Sequence, residues 1–318
     1  MPDQAASGKK ENQHQMQLGM IGLGRMGGNM ARRLILGGHT IHVFDPSPEA
    51  VATSVAEGAI GNESLEQLVE SLPAPRAVWV MVPDGAPTDQ TITRLAKLLD
   101  SDDVVIDGGN SNYKDSMRHA EELAASGVKF LDSGTSGGIW GLKEGYSLMV
   151  GGDKDAYQRL ESIFDTLAPS KDSGHGYVGP AGSGHFTKMI HNGIEYGMMQ
   201  AFAEGFEILK AKEEFDLDLA QIAEIWREGS VVRSWLLDLT ADALNEDAEL
   251  SEIQAYVDDS GEGRWTVAES IELRVPAPVI TASLQARFRS RQDQPFGAKM
   301  LAAMRNAFGG HAIKRSGE

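Results

Sequence analysis

MQLGMIGLGRMGGNMARRLILGG, residues 16–38, decides the fold of this chain. It opens with an apolar run that suits a buried strand, turns at Gly22-Leu23-Gly24, and continues with helical spacing to a stop at Gly37-Gly38. Strand, glycine turn and helix come in the order that dinucleotide binding needs. Gly22 permits the tight turn, Gly24 lets a pyrophosphate approach the backbone, and Gly27 lets helix and strand pack closely. The amides at the helix start, near Arg25 and Met26, would hold the phosphates, because first-turn N–H groups have no partner within their own helix. Glycine turns also occur between strand and helix with no ligand, so the motif needs a second signal beside it.

A second strand, HTIHVFD, ends on Asp45, at the distance where an acid reaches the adenine ribose hydroxyls. Its alternative reading is an ordinary strand-end turn residue before Pro46. With a nucleotide bound, Asp45 also selects the cofactor. A carboxylate about 4 Å from a 2′-phosphate costs on the order of 4 kcal/mol per unit charge at an effective dielectric near 20. NAD is favoured over NADP.

Further short apolar runs, AVWVMV (77–82), DVVID (103–107) and VKFLD (128–132), alternate with helix-like segments, the rhythm of a parallel sheet. Ligands of such sheets sit beyond the carboxyl ends of the strands. The loops VPDG, with Val82 and Pro83, and DGGNSN, with Asn110, are therefore site candidates. So is DSGTSGGIWGLKEG (132–145), whose Ser136-Gly137-Gly138 turn could offer amides to a carboxylate or hydroxyl, or could be a flexible surface loop.

The 318 residues, 41% hydrophobic, are enough for two domains. The expected organisation is a polar, disordered tail over 1–15, an α/β Rossmann-type dinucleotide-binding domain over 16–180, and an all-α domain over 181–318. Cysteine is absent, which removes disulfides, thiolate nucleophiles and cysteine-held metals. The net charge of −17 opposes unspecific binding to nucleic acid or to an anionic membrane. No apolar run has membrane length and the first fifteen residues are polar, so a cytoplasmic location is expected. Against that acidic background, residues 285–318 hold seven Lys or Arg and two Asp or Glu, a net of +5. This zone is either a local anion site or a solvated basic tail.

The second decisive stretch is GHFTKMIHNGIEYG, residues 184–197. Ser183 is a candidate N-cap for a helix running to about residue 211. Lys188, His191, Asn192 and Glu195 stand at i, i+3, i+4 and i+7 and share one face. The stripe continues as Met199, Phe202 and Phe206, while Gln200, Glu204 and Glu207 gather opposite, so it is expected to point inward. Polar groups turned inward need partners. Lys188 and Glu195 are separated by about 10.5 Å of helix rise, and a polar small molecule lying along the face suits that span.

GLGRMG, DGGNS, SGG and GHFTKMIHNGIEYG, with RNAFGGHAI near the end, stand in the order in which they occur in 6-phosphogluconate dehydrogenases, and over about residues 17–311 the sequence resembles that family of the β-hydroxyacid dehydrogenase superfamily. The resemblance implies oxidation of C3 of 6-phosphogluconate by NAD, followed by loss of CO2 to give ribulose 5-phosphate, with no metal. It implies Lys188 as the base for the C3 hydroxyl and later the acid that polarises the ketone, and Glu195 as the acid that protonates C1 of the enediol. Asn110, Ser136, Gly137, Gly138, His191, Asn192 and Tyr196 would hold the substrate. Arg287, Arg305 and His311 would hold its phosphate, and Arg289 is an alternative to Arg287. Gly22, Leu23, Gly24, Arg25, Met26, Gly27, Asp45, Val82, Pro83 and Asn110 would contact the cofactor. The family's tail reaches a neighbouring subunit, which implies a homodimer or homotetramer. The chain resembles the short form, lacking the larger helical domain of the long members. Where these have a lysine before GxGKW, this chain has Ser260 in SGEGRW. Two rivals are a dehydrogenase of a small 3-hydroxyacid, which would not need Arg305 and His311, and a noncatalytic nucleotide sensor, which would not need Lys188 and Glu195.

Overall fold

The computed structural model describes residues 15–314; the expected tail lies outside them except for Gln15. The chain divides into two compact units at Met189 and Ile190. The division falls within a helix, beyond residue 180 where the sequence changes character.

The first unit is built on eight strands: β1 (Gln17–Ile21), β2 (Thr40–Phe44), β3 (Ile60–Gly61), β4 (Ala77–Val80), β5 (Val104–Asp107), β6 (Lys129–Ser136), β7 (Ser147–Gly152) and β8 (His175–Gly179). They form one sheet in the order β3-β2-β1-β4-β5-β6-β7-β8. Pairings from β3 through β6 are parallel, as the alternating pattern predicts. β7 then runs antiparallel to β6, and β8 runs parallel to β7. That antiparallel extension was not expected, because β7 and β8 carry four glycines that mask their strand character.

Both faces of the sheet are covered. In β4, Trp79 enters one core with Leu18, Met20 and Ile106, while Val78 and Val80 enter another with Leu68, Ile92 and Val105. Strands buried on both sides read as continuous apolar runs, which is why AVWV and VVID show no polar alternation. The strand order reverses between β1 and β4, and that reversal opens a crevice at their carboxyl ends.

The second unit comprises the continuation of the long helix Ser183–Ala211 and helices Leu219–Arg227, Trp235–Glu246, Glu262–Glu272, Pro278–Ser290 and Phe296–Gly309. Asp218 and Ser234 cap two of them by accepting from the Gln221 and Leu237 amides. Phe206 packs with Ala223, Leu237, Ala241 and Leu244 in a small core. Among the described residues no helix is long and apolar enough to cross a membrane.

Candidate active site

The glycine turn after β1 is shaped by contacts that no side chain would allow. Gly22 adopts φ +90°, and a Cβ at Gly27 would stand 2.0 Å from the Gly22 carbonyl oxygen. The helix Arg25–Leu36 begins immediately afterwards with no side-chain cap and no acid in its first turn. At Gly24 a Cβ would meet nothing within 4 Å. An open space over first-turn amides that lack a competing cap fits a pyrophosphate.

Asp45 fills the strand-end turn role that the sequence offered as its alternative, its carboxylate accepting from the Ser47 amide at 2.8 Å. It also accepts from the Leu23 amide at 2.7 Å and so braces the glycine turn, a contact that sequence reasoning missed. Val82 is half-buried and Pro83 exposed just beyond β4, and Asn110 is exposed beyond β5. All three follow carboxyl ends of neighbouring parallel strands.

Residues 132–145 are not a single loop. β6 runs through Ser136, so Asp132 to Ser136 are strand, and residues 138–144 form short helical turns. Ser136 and Gly137 are half-buried and Gly138 is exposed at the strand's end. The sequence reading failed here because Ser and Gly suit loops by propensity, whereas pairing with β7 imposes the extended form.

β6 also anchors the long helix. Asp132 is wholly buried, and its two carboxylate oxygens accept from the Gly182 and His185 amides, each at 2.8 Å. Ser183, expected as the N-cap, is instead the first residue of the helix. A carboxylate about fifty residues earlier satisfies the His185 amide that Ser183 was expected to serve. Gly134 brings the two elements close together, since a Cβ there would lie 2.4 Å from Cβ of Lys188. Lys188 is thereby held half-buried against the sheet's carboxyl-end strand. Neither Asp132 nor Gly134 was read as a site residue, although VKFLD ended visibly on an acid.

Within the second unit, His191 and Glu195 are half-buried and Asn192 and Tyr196 are buried. His191 Nδ1 lies 2.9 Å from Asn192 Oδ1 and 3.9 Å from Glu195 Oε2. The stripe points inward only in part: Asn192 and Phe206 are buried and Lys188 and Phe202 half-buried, but the side chains of His191 and Glu195 are 41% and 38% exposed and Met199 is 41% exposed. Arg287 Nη2 stands 3.6 Å from the Met199 sulfur.

Arg287 lies with its guanidinium 3.5 Å from the centre of the Tyr196 ring and donates to the Asp258 carbonyl. Arg289 is exposed and donates to the Gln292 carbonyl. Of the two, Arg287 is the one beside a predicted substrate residue. Ser260 is exposed, and its amide donates to the Tyr196 hydroxyl at 3.3 Å. The preceding Asp259 has a buried side chain that grips Arg264 and Arg291. The hydrogen bond from Arg264, helped by Arg291 and opposed by burial, holds its carboxyl down at about 2.

Within the second unit, neither Arg305 nor His311 is joined by a side-chain hydrogen bond or ion pair to His191, Asn192, Tyr196 or Arg287 among the described residues. Both Arg305 and His311 are exposed. The helix Phe296–Gly309 that carries Arg305 has no buried residue, and its Phe308 is 80% exposed. Among the described residues no cluster of three or more His, Asp or Glu side chains could hold a metal ion.

Residues 17–179 match the model described as the NAD binding domain of 6-phosphogluconate dehydrogenase, and residues 184–295 and 211–318 match that of its C-terminal domain. The chain is 46% identical over 301 residues to an NAD(+)-dependent, decarboxylating 6-phosphogluconate dehydrogenase of Haloferax volcanii, covering 94% of this chain and 99% of that one. It is 38% identical over 312 residues to a decarboxylating 6-phosphogluconate dehydrogenase of Staphylococcus aureus, covering 92% of this chain but 66% of that longer relative. Among solved structures, Plasmodium falciparum 6-phosphogluconate dehydrogenase superposes with a TM-score of 0.81 at 29% identity, over 95% of this chain and 67% of that one. A Mycobacterium tuberculosis 3-hydroxyisobutyrate dehydrogenase superposes with a TM-score of 0.70 at 21% identity, over 87% of this chain and 94% of that one, a likeness of fold.

Proposed function

Because the chain belongs to the 6-phosphogluconate dehydrogenase family, we propose that it oxidises and decarboxylates 6-phosphogluconate to ribulose 5-phosphate and CO2, with NAD as hydride acceptor. The observation that carries this reading is the face of the long helix. It sets a half-buried Lys188 two turns before a half-buried Glu195, with His191 and Asn192 between them. NAD, held along the turn from Gly22 to Gly27, would supply the acceptor for the hydride leaving C3. Lys188 removes the C3 hydroxyl proton as the hydride leaves, then returns it toward the ketone oxygen while the C1 carboxylate departs as CO2. Glu195 gives a proton to the carbon that lost CO2 while Lys188 takes back the proton of the neighbouring enediol hydroxyl, which completes the enediol-to-ketone step. A lysine base must be neutral to act, and burial together with the positive nicotinamide ring favours the neutral amine.

Ser136, Gly137, Gly138, Asn110, His191, Asn192 and Tyr196 are assigned to the sugar acid, and Arg287 to its phosphate. Arg305 and His311 complete the phosphate site of a second copy of the chain, which makes the working form a homodimer or homotetramer. The uncovered apolar side chains of the helix Phe296–Gly309 support that arrangement. Asp45 and the cofactor named for the Haloferax volcanii relative support NAD over NADP. A cytoplasmic location agrees with a sugar-phosphate substrate.

Steady-state turnover of 6-phosphogluconate and of unphosphorylated gluconate, each with NAD and NADP, tests the reading. NADH and CO2 should form in equal amounts from the phosphorylated substrate only, most efficiently with NAD. Turnover of a small 3-hydroxyacid with no activity on 6-phosphogluconate would overturn it.

A further inference from the structure

Glu262 is 3% exposed at the start of the helix Glu262–Glu272. Its Oε1 accepts from Asn192 Nδ2 at 2.8 Å. That contact settles which way round the Asn192 amide lies, because a carboxylate oxygen accepts and an amide nitrogen donates. Asn192 Oδ1 is thereby turned toward His191 Nδ1, 2.9 Å away. An amide oxygen can only accept, so the imidazole proton must sit on Nδ1. In the neutral ring this leaves Nε2 with its lone pair. All three residues lie in the second unit.

We propose that Glu262 is a positioning residue that acts through Asn192 to fix the tautomer of His191, so that Nε2 accepts a hydrogen bond from a substrate hydroxyl. The substrate part of this inference rests on the function proposed above; the tautomer part stands on the geometry alone. A hydroxyl can donate or accept, so the tautomer of the ring decides which it does, and an unprotonated Nε2 requires the substrate hydroxyl to donate. The Glu262–Asn192–His191 chain fixes that direction before the substrate arrives, which is where preorganisation acts. Glu195 Oε2, at 3.9 Å from His191 Nδ1, is beyond hydrogen-bond reach but could take over the Nδ1 proton if the chain were cut.

The test compares the full-length protein with Glu262→Met and Glu262→Gln, each also in a Glu195→Met background, which leaves no acceptor at position 195. Ring 15N shifts of His191, assigned by its loss in His191→Gln, report the tautomer at about pH 8.5, some two units above an ordinary histidine pKa. The Nδ1–H form should dominate in the parent. It should become a mixture in Glu262→Met, which offers no acceptor. Glu262→Gln, which preserves volume and polarity should the methionine variant not fold, can present either face of its amide and should also give a mixture. In the Glu195→Met background, Kd for 6-phosphogluconate should rise roughly tenfold in either variant, while Kd for NAD stays within about twofold. An Nε2–H parent, or variants that keep a pure Nδ1–H ring in the Glu195→Met background, would overturn the tautomer assignment. A shifted tautomer with unchanged Kd for 6-phosphogluconate in that background would overturn its service to the substrate. A parent with the Nδ1–H ring but no turnover of 6-phosphogluconate would instead sink the proposed function and leave the chain from Glu262 standing.

Discussion

Replacing Asp132 with Asn should loosen the start of the helix that carries Lys188. The native carboxylate accepts from two amides, Gly182 and His185, in a fully buried setting. The Asn side chain has one oxygen, so it can serve one amide while its NH2 faces the other, donor against donor. The loss combines one hydrogen bond to a charged group, about 1.5–3 kcal/mol, with a negative charge at a helix N-terminus, about 0.3–2 kcal/mol. Taking about 3 kcal/mol as the sum's middle range, local opening becomes roughly 100-fold more favourable. Hydrogen exchange read on peptides spanning residues 180–190 measures that opening directly, without assuming that a chain with two compact units unfolds in one step. Protection of the Gly182 and His185 amides should drop by about two orders of magnitude while β1 and β4 keep theirs. Turnover should fall as well, because Lys188 lies one turn beyond the anchored amides. Protection changed by less than about threefold would refute the claim that this carboxylate secures the helix.

Lys188→Met should abolish hydride transfer with little effect on NAD affinity, checked by single-turnover NADH formation and NAD titration. Glu195→Gln should slow the final protonation, so that ribulose 5-phosphate lags behind NADH in a rapid-quench time course. Asp45→Asn keeps an acceptor for the Leu23 amide but removes the charge; the ratio of kcat/KM for NAD to that for NADP should fall by roughly tenfold, well short of the unscreened ceiling of about 4 kcal/mol. Asp259 titrates below the ordinary carboxyl range, at about 2 against 3.8. Its contribution to stability is therefore complete above about pH 4 and is lost as pH falls through 2. Since Arg264 is 57% exposed, the contribution is discounted to about 1–2 kcal/mol. Asp259→Asn should cost that much at pH 7 and nothing below pH 2 in parallel urea titrations.

The parallel order and the cofactor turn were legible because they rest on local signals. Apolar runs such as VVID and the spacing of Gly22, Gly24 and Gly27 report on residues within a few positions of one another. The polar face from Lys188 to Glu195 was legible for the same reason, since a helix repeats every 3.6 residues whatever surrounds it. Residues whose roles depend on distant partners were hidden. Ser183 looked like a cap, yet the Gly182 and His185 amides turn to Asp132, fifty residues back, because a strand end happens to stand beside them. Glu262 looked like one acid among many until folding set it against Asn192. The sequence by itself determined the Rossmann-type first half, the long helix and the polar residues that share its face. Only the tertiary structure decided what braces that face, since hydrogen bonds across fifty or seventy residues depend on which elements pack together, and no local pattern encodes that choice.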